Sequence, residues 1–154
     1  MKVDKTNRAI LEILQHDALA TYDAIAKRLG RSPSLVRDRI RAMESDGVIQ
    51  GYCAIVDRRR LGQTTEALIF CNLPAGNEEE AAATCIGLSQ VTRVFHVSGE
   101  KRTVLRVATQ DNRSLWEFIA IDLKAIGIVD LDVKVILKTR QRFPPDLVFT
   151  HTVD

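Results

Sequence analysis

Ser34, Arg37, Asp38 and Arg41 are spaced to share one helical face, and their donors and single carboxylate suit the base edges of a DNA major groove. Arg37 and Arg41 stand one turn apart, while Asp38 can accept from a cytosine amino group or orient its arginine neighbours. Charged faces also occur on solvated helices of ordinary bundles, so the surrounding charge has to separate the two readings. From Lys27 to Arg41 six basic residues (Lys27, Arg28, Arg31, Arg37, Arg39, Arg41) meet one acid, Asp38, a local balance of +5 in a chain of net charge +2. Up to Arg60 there are 12 basic and 8 acidic residues, and beyond it 10 and 12. Positive charge therefore collects around these side chains, where displacement of counterions from phosphates would favour nucleic-acid binding. A run from Arg58 to Arg60 extends the basic stretch at its far edge.

Two short helices around a tight turn are needed to present that face. Thr21 is a good N-cap, Ala24, Ile25 and Leu29 recur at helical spacing, and Gly30 stops the first helix. Ser32 can cap the second, Pro33 fits its first turn, and Val36, Ile40 and Met43 form an apolar stripe opposite the charged face. Upstream, Asp4 can cap a helix carrying Ala9, Ile10, Ile13 and Leu14, closed by His16 and Asp17, which completes a three-helix unit of helix-turn-helix outline. Val48 to Asp57 is rich in β-formers and reads as a strand, a wing or a hinge, with Arg58 to Thr65 as linker.

The 154 residues are 45% apolar, enough for a real core, and the charge asymmetry points to two small modules. No run of 18 apolar residues occurs, and the opening MKVDKTNRAILEILQ lacks a signal-type apolar block, so a soluble, cytoplasmic protein without a membrane partner is expected. Cys53, Cys71 and Cys85, at spacings of 18 and 14, fit neither a disulfide framework nor a zinc pattern and read as buried reduced thiols.

In the second module the periodicity changes. Glu66 to Leu73 reads as a strand, Asn77 caps a helix running to about Leu88, and Val91 to Ser98 alternates as a second strand. After a turn at Gly99 and Glu100, Arg102 to Thr109 is a third strand; Asp111 caps a helix with Leu115, Trp116, Ile119 and Leu123 that Gly127 ends; Ile128 to about Thr139 is the last strand. This βαββαβ order is that of a ferredoxin-like sandwich, an α+β fold with two helices on one face of an antiparallel sheet. If the strand faces carrying Leu68, Phe70, Val94, His96, Val104, Arg106, Val133 and Val135, or their alternates, are partly apolar, two such sheets pack in an obligate homodimer. Recognition helices about one turn of DNA apart (~34 Å) would then engage both halves of a near-palindromic site.

From about Val3 to Thr139 the sequence resembles the leucine-responsive and asparagine regulators (Lrp/AsnC), the feast/famine family of bacterial and archaeal transcription factors. The resemblance rests on Asp4 with Ile10-Leu11, Ile25-Ala26, Gly30, Ser32-Pro33-Ser34 with Val36, Arg39 and Ile40, Gly47-Val48-Ile49, Gly51-Tyr52, Leu61-Gly62 and Val97-Ser98-Gly99. It implies an N-terminal winged helix-turn-helix (residues 1–50), a hinge strand and linker (51–65), a ligand-sensing, oligomerising sandwich of RAM type, ACT-like (66–142), and a tail (143–154). It further implies dimers that assemble into tetramers or octamers on double-stranded DNA, and a response to an amino acid or related metabolite. Carried over by position, Ser34, Arg37, Asp38 and Arg41 would read bases, and Thr21, Tyr22, Lys27, Arg28, Arg31 and Ser32 would hold phosphates. Arg39, on the flank of the apolar stripe, is assigned either to a phosphate or to a structural ion pair with an acid such as Glu44 or Asp46.

The effector region, Ser98 to Arg102 with Val133, departs from the family pattern. Amino-acid binders of the family tend to follow the glycine with an aromatic residue and then an aspartate, which suits an ammonium group; here Gly99 is followed by Glu100, Lys101 and Arg102. Val133 stands where the family commonly has threonine. Three readings stay open: an anionic or keto-acid effector on Arg102 and Lys101, an amino acid held by Glu100, or a solvated hairpin without effector.

Two other classes compete. Siroheme decarboxylases resemble the family in architecture and use histidines in a basic cleft, but His96 is the one strand candidate here, and no ligand constellation, phosphate loop or nucleophile motif accompanies it. A ligand-sensing protein with little DNA specificity is opposed by Ser32-Pro33, Arg37 and Arg41. The expectation is a regulator without cofactor or catalytic residues. Pro144-Pro145 with Leu147, Val148 and Phe149 leave two readings of the tail open, frayed or packed on a neighbouring subunit, the second preferred.

Overall fold

The computed structural model describes residues 2–140, which fold as two units, one formed by residues 2–55 and one by Val56–Thr139. The tail, read as either frayed or packed on a neighbouring subunit, lies outside the described residues.

The first unit is three helices, α1 (Lys5–His16), α2 (Tyr22–Leu29) and α3 (Pro33–Ser45). Each start is closed by a side chain that accepts a hydrogen bond from an otherwise unpaired backbone N–H: Asp4 from Asn7 (2.8 Å), Thr21 from Ala24 (3.2 Å) and Ser32 from Leu35 (3.3 Å). Gly30 ends α2 at φ +61, a left-handed backbone that a side chain would strain. The core is Ile10, Ile25, Ala26, Val36, Ile40 and Met43, with Leu11, Ile13, Leu14 and Leu29 packed on it. Ala24, expected on the inner face of α2, is exposed, and Ala26 is buried in its place.

Val48 to Asp57 contains no strand. Val48 and Ile49 close the end of α3 by bonding to the Met43 carbonyl (2.9 and 3.0 Å), and residues 50–57 adopt no regular element. β-propensity describes fit to a sheet, and no described strand lies alongside to pair with this segment. The linker is partly ordered: Arg58–Leu61 makes a 3-10 turn capped by Asp57 and closed at Gly62.

The second unit follows the expected order, β1 (Thr65–Cys71), α4 (Glu78–Gly87), β2 (Val91–His96), β3 (Thr103–Thr109), α5 (Asn112–Phe118) and β4 (Asp132–Val135). The sheet is antiparallel with strand order β2-β3-β1-β4. Ala67, Ile69, Cys71, Leu105 and Val107 point to the helices and pack with Ala81, Cys85, Leu115, Phe118 and Leu123. Asp111 caps α5 through Ser114 N (2.7 Å), whereas Asn77 makes no cap bond at α4. The last helix does not run evenly to Gly127, because Ile119–Leu123 form a π-turn. β4 begins four residues later than expected: Ile128 turns into the core, its N–H bonded to the Leu123 carbonyl (3.0 Å), and Asp130 takes a positive φ of 57° before the strand starts.

Strand register separates faces that alternation alone leaves merged. Leu68, Phe70, Val104 and Arg106 share the face away from the helices with Phe95 and Lys134, while Val94, His96, Val133 and Val135 alternate to the other side. On the helix-free face Arg106 pairs with Glu66 (2.8 Å), the Lys134 ammonium lies 4.8 Å from the Phe70 ring centre, and Leu68, Phe95, Val97, Val104 and Ile136 line an apolar depression.

Candidate nucleic-acid interface

The buried stripe Val36, Ile40 and Met43 fixes the rotation of α3 and turns Ser34, Arg37, Asp38 and Arg41 outward, all four exposed. Arg37 Nε donates to Asp38 Oδ1 (3.2 Å), so the carboxylate orients its arginine, one of the two roles open to it from sequence. Ser34 and Ser32 hydroxyls lie 3.2 Å apart, beside the cap of α3. Thr21, Tyr22, Lys27, Arg28 and Arg31 are exposed along α2 and the turn. The structure thus brings the ten nominated residues onto the solvent side of two helices whose inner sides are closed.

Arg39 is structural. Its guanidinium pairs with Asp4 and donates to Asn7 Oδ1 (3.2 Å), an amide fully buried at the start of α1. The hydrogen-bonded partner is therefore Asp4, 35 residues away, rather than the nearby Glu44 or Asp46. Asp4 thus caps α1 and ties α3 to it; the Asn7 N–H first, and then Arg39, hold its carboxyl below the usual 3.8. Glu44 accepts instead from the Tyr52 hydroxyl (3.0 Å), and burial with that carboxylate raises the phenol to about 12. Asp4 and Tyr52 were invisible as partners in the sequence because both pairings cross between elements.

In the second unit Ser98, Gly99, Glu100, Lys101 and Arg102 form the exposed β2-β3 hairpin, with Val97 N bonded to the Arg102 carbonyl (2.9 Å). Asn72, just past β1, braces the hairpin by donating to the Glu100 carbonyl (3.0 Å) and accepting from Arg102 N (2.9 Å). Lys101 is not free to meet an anion, since its ammonium pairs with Asp130 and donates to that residue's carbonyl (2.6 Å). Val133 lies opposite Ile69 on β4 and points to the helix side. Asn72 and Asp130 were missed; the one available signal was an aspartate, a residue tolerant of positive φ, inside the stretch read as the last strand.

His96 ends β2 opposite Thr103, and among the described residues no group of three or more His, Cys, Asp or Glu is placed to hold a metal. Cys71 and Cys85 are buried, and burial pushes the Cys71 thiol up to about 11 and that of Cys85 upward. Cys53 is exposed, against the expectation of three buried thiols, because its segment pairs with no strand. No helix among the described residues is long and apolar enough to cross a membrane.

A family profile described as winged helix-turn-helix DNA-binding matches residues 3–50. The chain is 34% identical over 126 residues to the HTH-type transcriptional regulator LrpA1 of Halobacterium salinarum, covering 82% of this chain and 89% of that one. It is 27% identical to the HTH-type transcriptional regulator FL11 of Pyrococcus horikoshii, over 90% of this chain and 92% of the relative. Among solved structures it is similar to E. coli AsnC (TM-score 0.84, 25% identity, 90% and 95% of the two chains). It is also similar to a feast or famine regulatory protein of M. tuberculosis complexed with L-methionine (TM-score 0.85, 26% identity, 93% and 97%). The capped helix-turn-helix, the βαββαβ sandwich and these likenesses place the chain in the Lrp/AsnC family of DNA-binding transcriptional regulators.

Proposed function

We propose that the chain binds an inverted-repeat DNA site as a homodimer, reads bases with Ser34, Arg37, Asp38 and Arg41, and holds phosphates with Thr21, Tyr22, Lys27, Arg28, Arg31 and Ser32. Residues 1–50 are the reading module, 51–65 the hinge and 66–142 the sensing and pairing module. The observation that carries this reading is the division of α3: one side is closed by Val36, Ile40 and Met43, and the other presents Arg37 and Arg41 one turn apart. The apolar depression of Leu68, Phe95, Val97, Val104 and Ile136 supplies the face on which two sheets pack.

The effector is a small metabolite bearing a carboxylate, bound at the Ser98–Arg102 hairpin near Val133. A relative of the same fold is known in complex with L-methionine, which supports an amino acid or a close analogue. With Lys101 held by Asp130, Arg102 is the anion partner at the hairpin and Glu100 the group suited to an ammonium.

The experiment is binding of the purified protein to fragments of its own upstream region at several salt concentrations, beside a scrambled duplex of equal length. Salt-sensitive binding that prefers the native fragment, and that shifts with candidate carboxylate metabolites in the wild type but not in Arg102→Ala, is the expected result. Equal, weak binding to both duplexes overturns it.

A further inference from the structure

The arginine run at the start of the second unit is built, not merely charged. Asp57 Oδ1 accepts from Arg59 N (3.0 Å), Gly62 N closes on the Arg59 carbonyl (3.0 Å), and Gln63 N on that of Arg58 (3.0 Å), so both ends of the 3-10 turn are fixed. Its guanidinia are short of acids. Arg58 turns back onto a neutral amide, Gln63 Oε1 (3.0 Å), Arg60 reaches Asp57 only at 3.6 Å while 88% exposed, and Arg59 has no partner among the described residues. Beyond Arg60 the chain is net acidic, with 10 basic against 12 acidic residues, so the turn is a positive island beside a module that would otherwise repel a polyanion.

Chain length limits where that island can lie. The stretch from the end of α3 at Ser45 to Arg58 spans at most roughly 45 Å when fully extended, little more than one ~34 Å turn of DNA. A DNA-bound recognition helix therefore keeps the turn within reach of phosphates flanking its own half-site. We infer that Arg59 and Arg60 form a second phosphate-binding surface that grips DNA just outside the bases read by α3, with Arg58 holding the turn in shape. This rests on the regulator reading above and extends it: affinity depends on flanking DNA of any sequence.

The test compares wild type, the double variant Arg59→Gln/Arg60→Gln and the charge-keeping Arg59→Lys/Arg60→Lys on two duplexes, one ending at the mapped site and one extended by about two helical turns on each side. Apparent affinity is measured against salt, and thermal melting checks folding. On the extended duplex the glutamine variant should show a salt slope shallower by about 1.8 per protomer, ~0.9 for each phosphate left unneutralised, while the lysine variant stays close to wild type. On the short duplex all three should coincide. An unchanged slope on the extended duplex overturns the proposal and leaves the turn to an acidic protein partner. Equal weakening on both duplexes overturns it too, since the arginines would then belong to the core site. Failure of the regulator reading looks different, with wild type itself showing no preference for the site on either duplex.

Discussion

In residues 2–55 all three helix starts are closed by side chains three residues from the N–H they accept, and one small apolar core joins the three helices. In Val56–Thr139 the central strand β1 is bonded to β3 and β4, so Ile69 faces Leu105 on one side and Val133 on the other, dozens of residues away. The first unit is held by local chemistry around a small core; the second relies on distant pairing around a larger one that includes Phe118, Leu123 and Ile128. Local closure leaves the outer surface of the helices free for charge, and the residues proposed to face DNA lie there. Distant closure leaves sheet edges, hairpins and one whole face to be used for ligand or partner.

Separate truncations should test that contrast most strongly. Ile40→Ala is expected to lower the stability of the helical unit, and Ile69→Ala that of the sheet unit, by about 2–5 kcal/mol each. Calorimetry should show each substitution moving one transition; a common shift of both would mean that the units do not melt separately. On the functional side of the helical unit, Arg37→Ala or Arg41→Ala should erase about 1–3 kcal/mol of discrimination between bases, whereas Lys27→Ala should weaken all sequences alike and flatten the salt slope by ~0.9. Competition binding with single-base variants of the site distinguishes them, and undiminished discrimination by Arg37→Ala would remove it from the reading face.

Smaller effects separate the caps. Thr21→Ala should cost about 1 kcal/mol, and Asn77→Ala, which removes no cap bond, distinctly less. Urea titration of both variants would refute the difference if the order were reversed. Arg39→Ala should remove roughly 1 kcal/mol through its hydrogen bond to the buried Asn7 amide alone. Acid should act on both units in the same direction. The carboxyls of Asp4 and Asp111 are held below 3.8, first by the backbone N–H of Asn7 and of Ser114 respectively. Their contribution is complete above that value and disappears as pH falls through the folded-state value. Melting temperatures measured from pH 5 downward should therefore fall only below about pH 4, and Arg39→Ala should lessen the acid sensitivity of the helical unit while leaving that of the sheet unit intact.

The same contrast explains what was legible in the chain. Asp4, Thr21, Ser32-Pro33, Gly30 and the Val36-Ile40-Met43 stripe are short-range signals, and each is found as expected. The order of the second unit could be followed because alternation and caps are also local. What failed depends on partners far away in sequence: whether Val48 to Asp57 finds a strand to pair with, which sheet face Val94 and Val133 join, and which acid Arg39 meets. At the hairpin, the residue types of Lys101 and Arg102 were visible, but Asp130 takes one of the two charges out of play, and only the fold places it there.

The π-turn at Ile119–Leu123 has a consequence for that pair. An α-helix advances about 100° and 1.5 Å per residue, so one extra residue in a turn resets the angular phase of everything downstream. At its end and beyond, Leu123 and Ile128 are buried and Asp130 meets Lys101. The turn is a phase adjuster: shortening it by one residue would leave a helix of similar length but rotate the Asp130 loop away from the hairpin, changing the charge around the hairpin without altering a residue in it.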